Sequence, residues 1–210
     1  MGLHRDAQDG EVWLHGTKAA PFHSWIVPPP RDPRSLLAEH SALFFTLHED
    51  YAAGVGGRVC ETRLSASAKV LVPELRTEDG EDLRVRLLAQ PAIGKCHWLR
   101  DRSTWSESWR TGEVMRFGAV DAALNQALVR NAARLVQMKA KGLSPTQVDW
   151  LAKQNITRGW IEAIIAAARE MGFDALRGQE IDRHSGTVQA VARPWLAVWN
   201  AGVVAPPVWR

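Results

Sequence analysis

The sequence has few cysteines, no long apolar run and only a small net charge, and these features limit the classes of protein to which it can belong. Its two cysteines, Cys60 and Cys96, are too few for a disulfide framework and lack the spacing of metal ligands. No apolar run reaches the roughly 18 residues that a membrane-spanning helix needs. Lys and Arg total 26 against 23 acidic residues, and this net charge of +3 permits a polyanionic partner without requiring one.

The first residues of the sequence do not have the pattern of a targeting signal, so we expect none. They have no apolar signal region, and Asp6 stands where an N-myristoylation site needs Ser or Thr. With so few cysteines, we expect a protein of the cytoplasm, either of the producing cell or of a target cell, with no membrane partner. None of the seven histidines forms a helix-face pair with a third ligand, so no metal site is predicted.

Apolar residues make up 46% and charged residues 23%, which predicts a folded globular chain. Alternating and compact apolar stretches predict short strands in the first ninety residues, with a turn at Glu78-Asp79-Gly80, and again near the end. The predicted strands cover 11–15, 43–46, 58–64, 69–75, 83–90, 173–176, 188–192 and 195–199. Strands, then helices, then strands indicate an α+β chain whose two ends share a sheet.

Helical periodicity dominates between the two groups of strands. Apolar residues recur on one face from Val120 to Met138, and Gly142 ends that helix. Ser144-Pro145 has the pattern of an N-cap followed by proline at the first helical position. A further helical stripe runs through 160–168. We therefore expect a single domain over 1–210 with a helical insertion at roughly 115–172.

Three short segments have possible chemical content. The first is Trp13-Leu14-His15-Gly16-Thr17. The second is Ala42-Leu43-Phe44-Phe45-Thr46, which leads into Asp50-Tyr51-Ala52. The third is Met171-Gly172-Phe173-Asp174-Ala175-Leu176, followed about twenty residues later by Trp195-Leu196-Ala197-Val198-Trp199-Asn200.

In order and spacing, these segments resemble the ADP-ribosyltransferase fold. The similar branch includes poly(ADP-ribose) polymerases, tRNA 2′-phosphotransferases and small phage and bacterial transferases. The resemblance covers about 70 of the 210 residues and implies a split β-sheet core around an NAD site.

The resemblance also implies roles for individual residues toward NAD, which would be the substrate. His15 would hydrogen-bond a ribose hydroxyl, and the backbone of Gly16 would pair with the nicotinamide carboxamide. Thr17 would add a nearby hydroxyl. Tyr51, the chain's one tyrosine, would stack on the nicotinamide, and Phe44 would be a second aromatic. Glycine suits its position because a backbone approaches a ligand closely only where no Cβ intrudes.

The closing strand departs from the family pattern. The family carries a glutamate there, but Trp195 occupies that position, and an indole offers only an N–H donor. Gln189 and Glu180 are the nearest polar candidates to replace the carboxylate, and Arg193 would hold a phosphate. The catalytic assignment is therefore His15, Tyr51 and Gln189, with Trp195 in contact with NAD.

These inferences predict a glycosyltransferase, namely an NAD-dependent mono-ADP-ribosyltransferase that modifies a protein or nucleic acid, as a toxin or phage effector does. One alternative is a tRNA 2′-phosphotransferase-like enzyme in which arginines handle the phosphate. Another is a catalytically degenerate NAD-binding or partner-binding module in which Trp195 fills the pocket.

Other motifs have ordinary structural interpretations. Trp98, Trp105 and Trp109 are interleaved with cations, which suits either core packing or contact with a nucleic-acid acceptor. A helix-turn-helix over 144–169 is disfavoured, because its turn region holds Asn155-Ile156 and no glycine. The glycine run at 54–57 lacks the Lys-Ser/Thr of a phosphate-binding loop, so we expect a turn there.

Overall fold

A computed structural model of the chain describes residues 10–73, 75–91, 97–111, 122–181 and 192–210. The fold is α+β, built on one seven-stranded sheet with the strand order β4-β5-β6-β2-β1-β3-β7. Neighbouring strands are antiparallel except for β4 and β5, which are parallel. The strands are β1 Trp13–Thr17, β2 Leu43–Thr46, β3 Arg58–Thr62, β4 Val70–Leu71, β5 Ala175–Ile181, β6 Ala192–Val198 and β7 Val208–Trp209.

The beginning and the end of the chain meet in this sheet, as predicted. Strand β2 pairs with β6 from Leu43 opposite Val198 to Thr46 opposite Trp195. The predicted strand at 188–192 lies mostly outside the described ranges, which leave out residues 188–191. Its last residue, Ala192, is the first residue of β6.

Side-chain alternation along β6 divides the interior into two apolar cores. Leu196 and Val198 belong to a core that contains Trp13, Trp25 and Phe45. Trp195 and Ala197 point to the other face and join the core that the helices cover. A single strand thus contributes to both cores, and its buried residues form a continuous apolar run.

The helices follow from periodicity and capping. Ser144 accepts a hydrogen bond from the Gln147 backbone, and Gln147 accepts one from the Ser144 backbone, so the predicted N-cap is confirmed as a capping box. One continuous helix then follows, and Asn155 and Ile156 lie inside it without a turn. The helices are α1 Glu49–Gly56, α2 Thr77–Ala89, α3 His97–Arg100, α4 Arg102–Thr111, α5 Ala122–Lys139 and α6 Pro145–Glu170.

The predicted strand over 83–90 is wrong, because this stretch belongs to α2. Leu83 and Leu87 are fully buried four residues apart, whereas Val85 is 53% exposed, so the residues follow a helical repeat. Arg84 can be buried beside them because it is hydrogen-bonded to Glu81 and to the Leu99 carbonyl.

The turn predicted at Glu78-Asp79-Gly80 is wrong for the same reason. Glu78 and Asp79 form the acidic first turn of α2, where carboxylates interact favourably with the helix dipole. Helical structure between the two strand groups consequently starts at Thr77, well before 115. Within the described ranges, no helix combines the length and the apolar character needed to cross a membrane.

Candidate functional site

A cleft of about 390 Å³ lies between the β1–β2 pair and helices α1 and α6. Its walls bring together five residues that the sequence assigned to NAD binding: His15, Gly16, Phe44, Tyr51 and Trp195. Thr17 is not part of this lining, and its hydroxyl accepts a hydrogen bond from the Ala19 backbone at 3.1 Å. Residues from distant parts of the chain therefore converge on one cavity, and Thr17 does not join them.

The cleft borders a place where the sheet is weakly paired. Strand β1 matches β3 over five residue pairs, and β2 matches β6 over four, but β1 and β2 share only the pair Leu14 and Thr46. Next to that pair, His15 Nδ1 donates a hydrogen bond to the Phe44 carbonyl oxygen at 2.8 Å. The imidazole thus links the two strands where their ladder ends.

His15 has a defined protonation state and tautomer. A carbonyl oxygen can only accept, so Nδ1 carries the proton and Nε2 is the acceptor of the neutral ring. Burial lowers the pKa of His15, and the bond to Phe44 offsets this only in part. The ring packs against Trp25 and Phe45, with centroids 5.5 and 5.6 Å away. In this neutral ring, Nε2 is the nitrogen that can accept a hydrogen bond, and the ring packs on the side of the core that contains Trp25 and Phe45.

Two glycines allow α1 to lie directly on β1. A Cβ at Gly16 would stand 1.8 Å from the Ala52 carbonyl oxygen, and a Cβ at Gly56 would stand 2.0 Å from the Thr17 backbone nitrogen. The backbone of α1 fills the space where a Cβ of residue 16 would lie. Close packing of α1 therefore explains glycine at this position, in addition to the close approach of a ligand that was expected from the sequence. This contact brings Tyr51 to the cleft on the first turns of α1.

The glycine run at 54–57 also has a local explanation. Its first part continues α1, and Gly57 ends the helix in the left-handed conformation at φ 78°, with its N–H donating to the Ala53 carbonyl. The predicted turn lies at Gly57, and helix packing explains Gly56.

Trp195 forms a buried wall of the cleft. Its side chain is only 3% exposed, and its ring lies over Gly178 of β5, where a Cβ would come within 2.7 Å of it. Phe44 packs nearby, with a ring centroid 5.5 Å away. Within the described part of the chain, the indole N–H has no hydrogen-bond partner. A buried unsatisfied donor costs about 1–3 kcal/mol.

Arg193, the residue expected to hold a phosphate, forms an ion pair within the protein. Arg193 forms a two-point ion pair with Asp50, with nitrogen–oxygen distances of 3.3 and 3.2 Å, and this pair ties β6 to α1 beside Tyr51. The Glu180 backbone pairs with Arg193 in the sheet. Gln189 and the side chain of Glu180 lie outside the described residues, so their predicted roles stay predictions.

Helix α6 forms the opposite wall of the cleft, and the sequence did not predict any of its residues as part of the site. Gln154, Thr157, Arg158 and Ile161 line the cleft from this helix. The polar side chains of α6 that face the preceding segment recur about four residues apart, at Asn155, Arg158 and Glu162. This spacing marks one helix face, and it is the signal that could have indicated a polar surface.

This face of α6 holds the segment that precedes β2. Asn155 accepts a hydrogen bond from the Ala38 backbone at 2.6 Å and donates one to the Leu36 carbonyl at 3.0 Å. Arg158 donates to the Ala38 carbonyl at 2.8 Å. Burial lowers the pKa of Arg158, while the Glu162 carboxylate opposes that change. The segment is therefore fixed on the helix through its backbone.

Glu162 completes this attachment and contacts a second cleft histidine. One carboxylate oxygen lies 3.0 Å from His40 Nδ1, and the Ser41 backbone N–H reaches both oxygens at 3.0 and 3.1 Å. Burial raises the pKa of Glu162, but the bonds from His40 and Ser41 together outweigh it and leave the pKa below its usual value. Glu162 is therefore ionised at neutral pH, and His40 is oriented toward it.

Two further groups are structural. Trp105 is 3% exposed and belongs to the helix-covered core, which confirms core packing for that residue; the side chains of Trp98 and Trp109 lie outside the described set.

Burial raises the pKa of the Cys60 thiol to about 11, so it is not a nucleophile at neutral pH. No metal-binding group of three or more His, Cys, Asp or Glu residues occurs in the ranges the structure describes.

No protein family, curated protein or solved structure matches this chain. The cleft between β1, β2, α1 and α6, with the histidines and aromatic rings along its walls, is therefore the basis for a functional assignment.

Proposed function

We propose that the protein is an NAD-dependent mono-ADP-ribosyltransferase on an ADP-ribosyltransferase-like fold, with a protein or nucleic acid as acceptor. One observation carries this proposal: His15, Gly16, Phe44, Tyr51 and Trp195 line one cleft. These positions are the ones that the resemblance to the family assigns to NAD.

The cleft has the size and chemistry for the nicotinamide end of NAD. Its volume of about 390 Å³ falls in the range of small-molecule sites, roughly 300–1,000 Å³. Tyr51 and Phe44 place aromatic rings in the lining, where they would contact a flat ring, and neutral His15 would accept from a ribose hydroxyl through Nε2.

These groups suit the cleavage of a glycosidic bond. The bond between nicotinamide and ribose breaks through an oxocarbenium-like state, as in glycoside hydrolysis. In that state, a site must hold the leaving ring and orient the ribose. The two aromatic side chains would do the first, and His15 the second.

NAD binding tests the proposal directly. A ligand that binds only the folded state raises the unfolding free energy by about 2.7 kcal/mol at roughly a hundred times its dissociation constant. We expect millimolar NAD to raise the melting temperature, and Tyr51→Ala to lose most of that shift. Trp150→Ala, which removes an exposed aromatic on α6 away from the cleft lining, is the matched control and should keep it. No shift in the parent protein would contradict the proposal.

A binding module without turnover is the second candidate, and Trp195 favours it. The indole occupies the position of the family's glutamate and is buried over Gly178. Measuring nicotinamide release separates the two functions, since a module would bind NAD and release none.

The acceptor requires a separate experiment. The protein is incubated with NAD labelled in its adenylate portion and a cell lysate, and the products are digested with protease or with nuclease. Label that only protease removes identifies a protein acceptor, and label that only nuclease removes identifies a nucleic acid.

A further inference from the structure

The cleft holds a carboxylate–histidine pair that none of the sequence motifs includes. Glu162 of α6 bonds His40 Nδ1 at 3.0 Å, and His40 lines the cleft with its ring centroid 4.6 Å from that of Phe44. A carboxylate can only accept here, so Nδ1 carries a proton, and in the neutral ring Nε2 is then the nitrogen with the lone pair. Among the described residues, nothing hydrogen-bonds Nε2.

We propose that His40 is the general base that activates the acceptor hydroxyl or water, and that Glu162 is its positioning residue. The inference rests on the proposed transferase function and adds to it a group that accepts a proton. Trp195 cannot do this, because an indole has no basic nitrogen at neutral pH. A carboxylate that orients an imidazole and stabilises its protonated form is a recurrent arrangement for general-base catalysis.

In the proposed step, the acceptor replaces nicotinamide on the ribose and gives up its proton. The acceptor oxygen forms a bond to ribose C1′ while the bond from C1′ to the nicotinamide nitrogen breaks. The electron pair of that bond goes to the ring nitrogen, so nicotinamide leaves as a neutral molecule. The acceptor proton moves to His40 Nε2, and the resulting imidazolium is paired with Glu162. Solvent later removes this proton.

Charged and titratable groups face His40 from the elements around the cleft. From α6 these are Glu162 and Arg158, and from β1 it is His15 across the cleft. On its own segment, Glu39 is exposed and paired with Arg31 at 2.8 Å. Glu162 is the one that contacts the imidazole directly, so its replacement is the most informative change.

The test compares His40→Asn and Glu162→Gln with His23→Asn, a matched control at an exposed histidine outside the cleft lining. Asparagine keeps a donor near the Nδ1 position and so can retain the bond to Glu162. NAD dissociation constants, nicotinamide release and its pH dependence are measured for each protein. For the parent and Glu162→Gln, ring ¹⁵N NMR at pH 8 adds a readout independent of turnover.

We expect His40→Asn to lower kcat by about a hundredfold or more, the usual size of a general-base contribution. Its affinity for NAD should stay within about threefold of the parent, as expected when an interaction acts only in the transition state. The acid limb of the pH profile should disappear. Glu162→Gln should lie between the parent and His40→Asn, and the His23→Asn control should match the parent.

The NMR experiment should show a proton on His40 Nδ1 and none on Nε2 in the parent, with a mixture of tautomers in Glu162→Gln. A proton on Nε2 in the parent would overturn the inference even if a variant failed to fold. Unchanged kcat and pH profile in a folded His40→Asn would overturn it alone and leave the transferase proposal standing. A parent that neither binds NAD nor releases nicotinamide would overturn both.

Discussion

Two walls of the cleft each contain a histidine: the β1 wall, formed by β1 and α1, contains His15, and the α6 wall, formed by α6 and the segment before β2, contains His40. His15 on the β1 wall donates to the neutral Phe44 carbonyl, and burial lowers its pKa. His40 on the α6 wall is bonded to the ionised Glu162 carboxylate. A carboxylate stabilises an imidazolium far better than a carbonyl does. One residue type thus stands in two different settings, bonded to a neutral carbonyl on one wall and to an ionised carboxylate on the other.

The walls are also assembled by different forces. On the β1 wall, α1 lies against the strand because Gly16 and Gly56 have no Cβ. On the α6 wall, hydrogen bonds from Asn155, Arg158 and Glu162 hold the segment that carries His40. A larger side chain at Gly16 or Gly56 should therefore destabilise the β1 wall. Loss of a hydrogen-bonding side chain should destabilise the α6 wall.

The largest effect is expected from Gly16→Ala. The new Cβ would stand 1.8 Å from a backbone oxygen of α1, and such overpacking costs about 3 kcal/mol or more when the backbone must move. The matched control on the other wall is Gly159→Ala in α6, where a Cβ meets nothing within 4 Å and should stabilise the protein by about 0.5–1 kcal/mol.

Urea unfolding of both glycine variants measures this difference. Equal stability of Gly16→Ala and the parent would show that α1 does not pack directly on β1.

Asn155→Ala should have an intermediate effect. It removes two hydrogen bonds to the backbone at Ala38 and Leu36, and a loss of about 1–2 kcal/mol of unfolding free energy is expected. Lys153→Ala, an exposed neighbour on the same helix, should stay within about 0.5 kcal/mol of the parent. If chemical denaturation finds the two variants alike, the polar face of α6 does not hold this wall.

The smallest effect concerns the pH dependence of stability. Because the pKa of His15 is lower in the folded state than the unfolded value of 6.5, the unfolded chain binds more protons between those two values. Stability from this group is therefore complete above about pH 6.5 and is lost as the pH falls toward the folded pKa. His15→Asn should show a shallower loss of melting temperature between pH 7.5 and 5 than the parent. Parallel curves would contradict the pKa shift.

Local sequence patterns anticipated part of each wall. The Ser144-Pro145 pair predicted the start of α6, the 3.6-residue period predicted its later part, and the motifs around His15 and Tyr51 predicted a shared site. Such signals are readable because capping depends on neighbours three residues apart, and periodicity depends on one helix face. The role of these residues toward NAD stays a prediction.

The sequence pattern gave the wrong secondary structure where the same residues fit both the two-residue period of a strand and the 3.6-residue period of a helix. Leu83, Val85 and Leu87 alternate like a strand, yet the first and last are also a helical pair four residues apart. The choice was made by tertiary contacts, since Arg84 reaches Glu81 and the carbonyl of Leu99 only when the segment is a helix in this place.

By itself, the sequence determined the α+β class and the cap of α6, because both depend on interactions between near neighbours, and the resemblance of its motifs indicated the residues of the β1 wall. Only the tertiary structure decided that Gly16 must accommodate the backbone of α1, that Asn155 holds Ala38, and that His40 meets Glu162. These contacts join residues far apart in the chain. Their partners are set by how the helices pack on the sheet, and no local pattern carries that information.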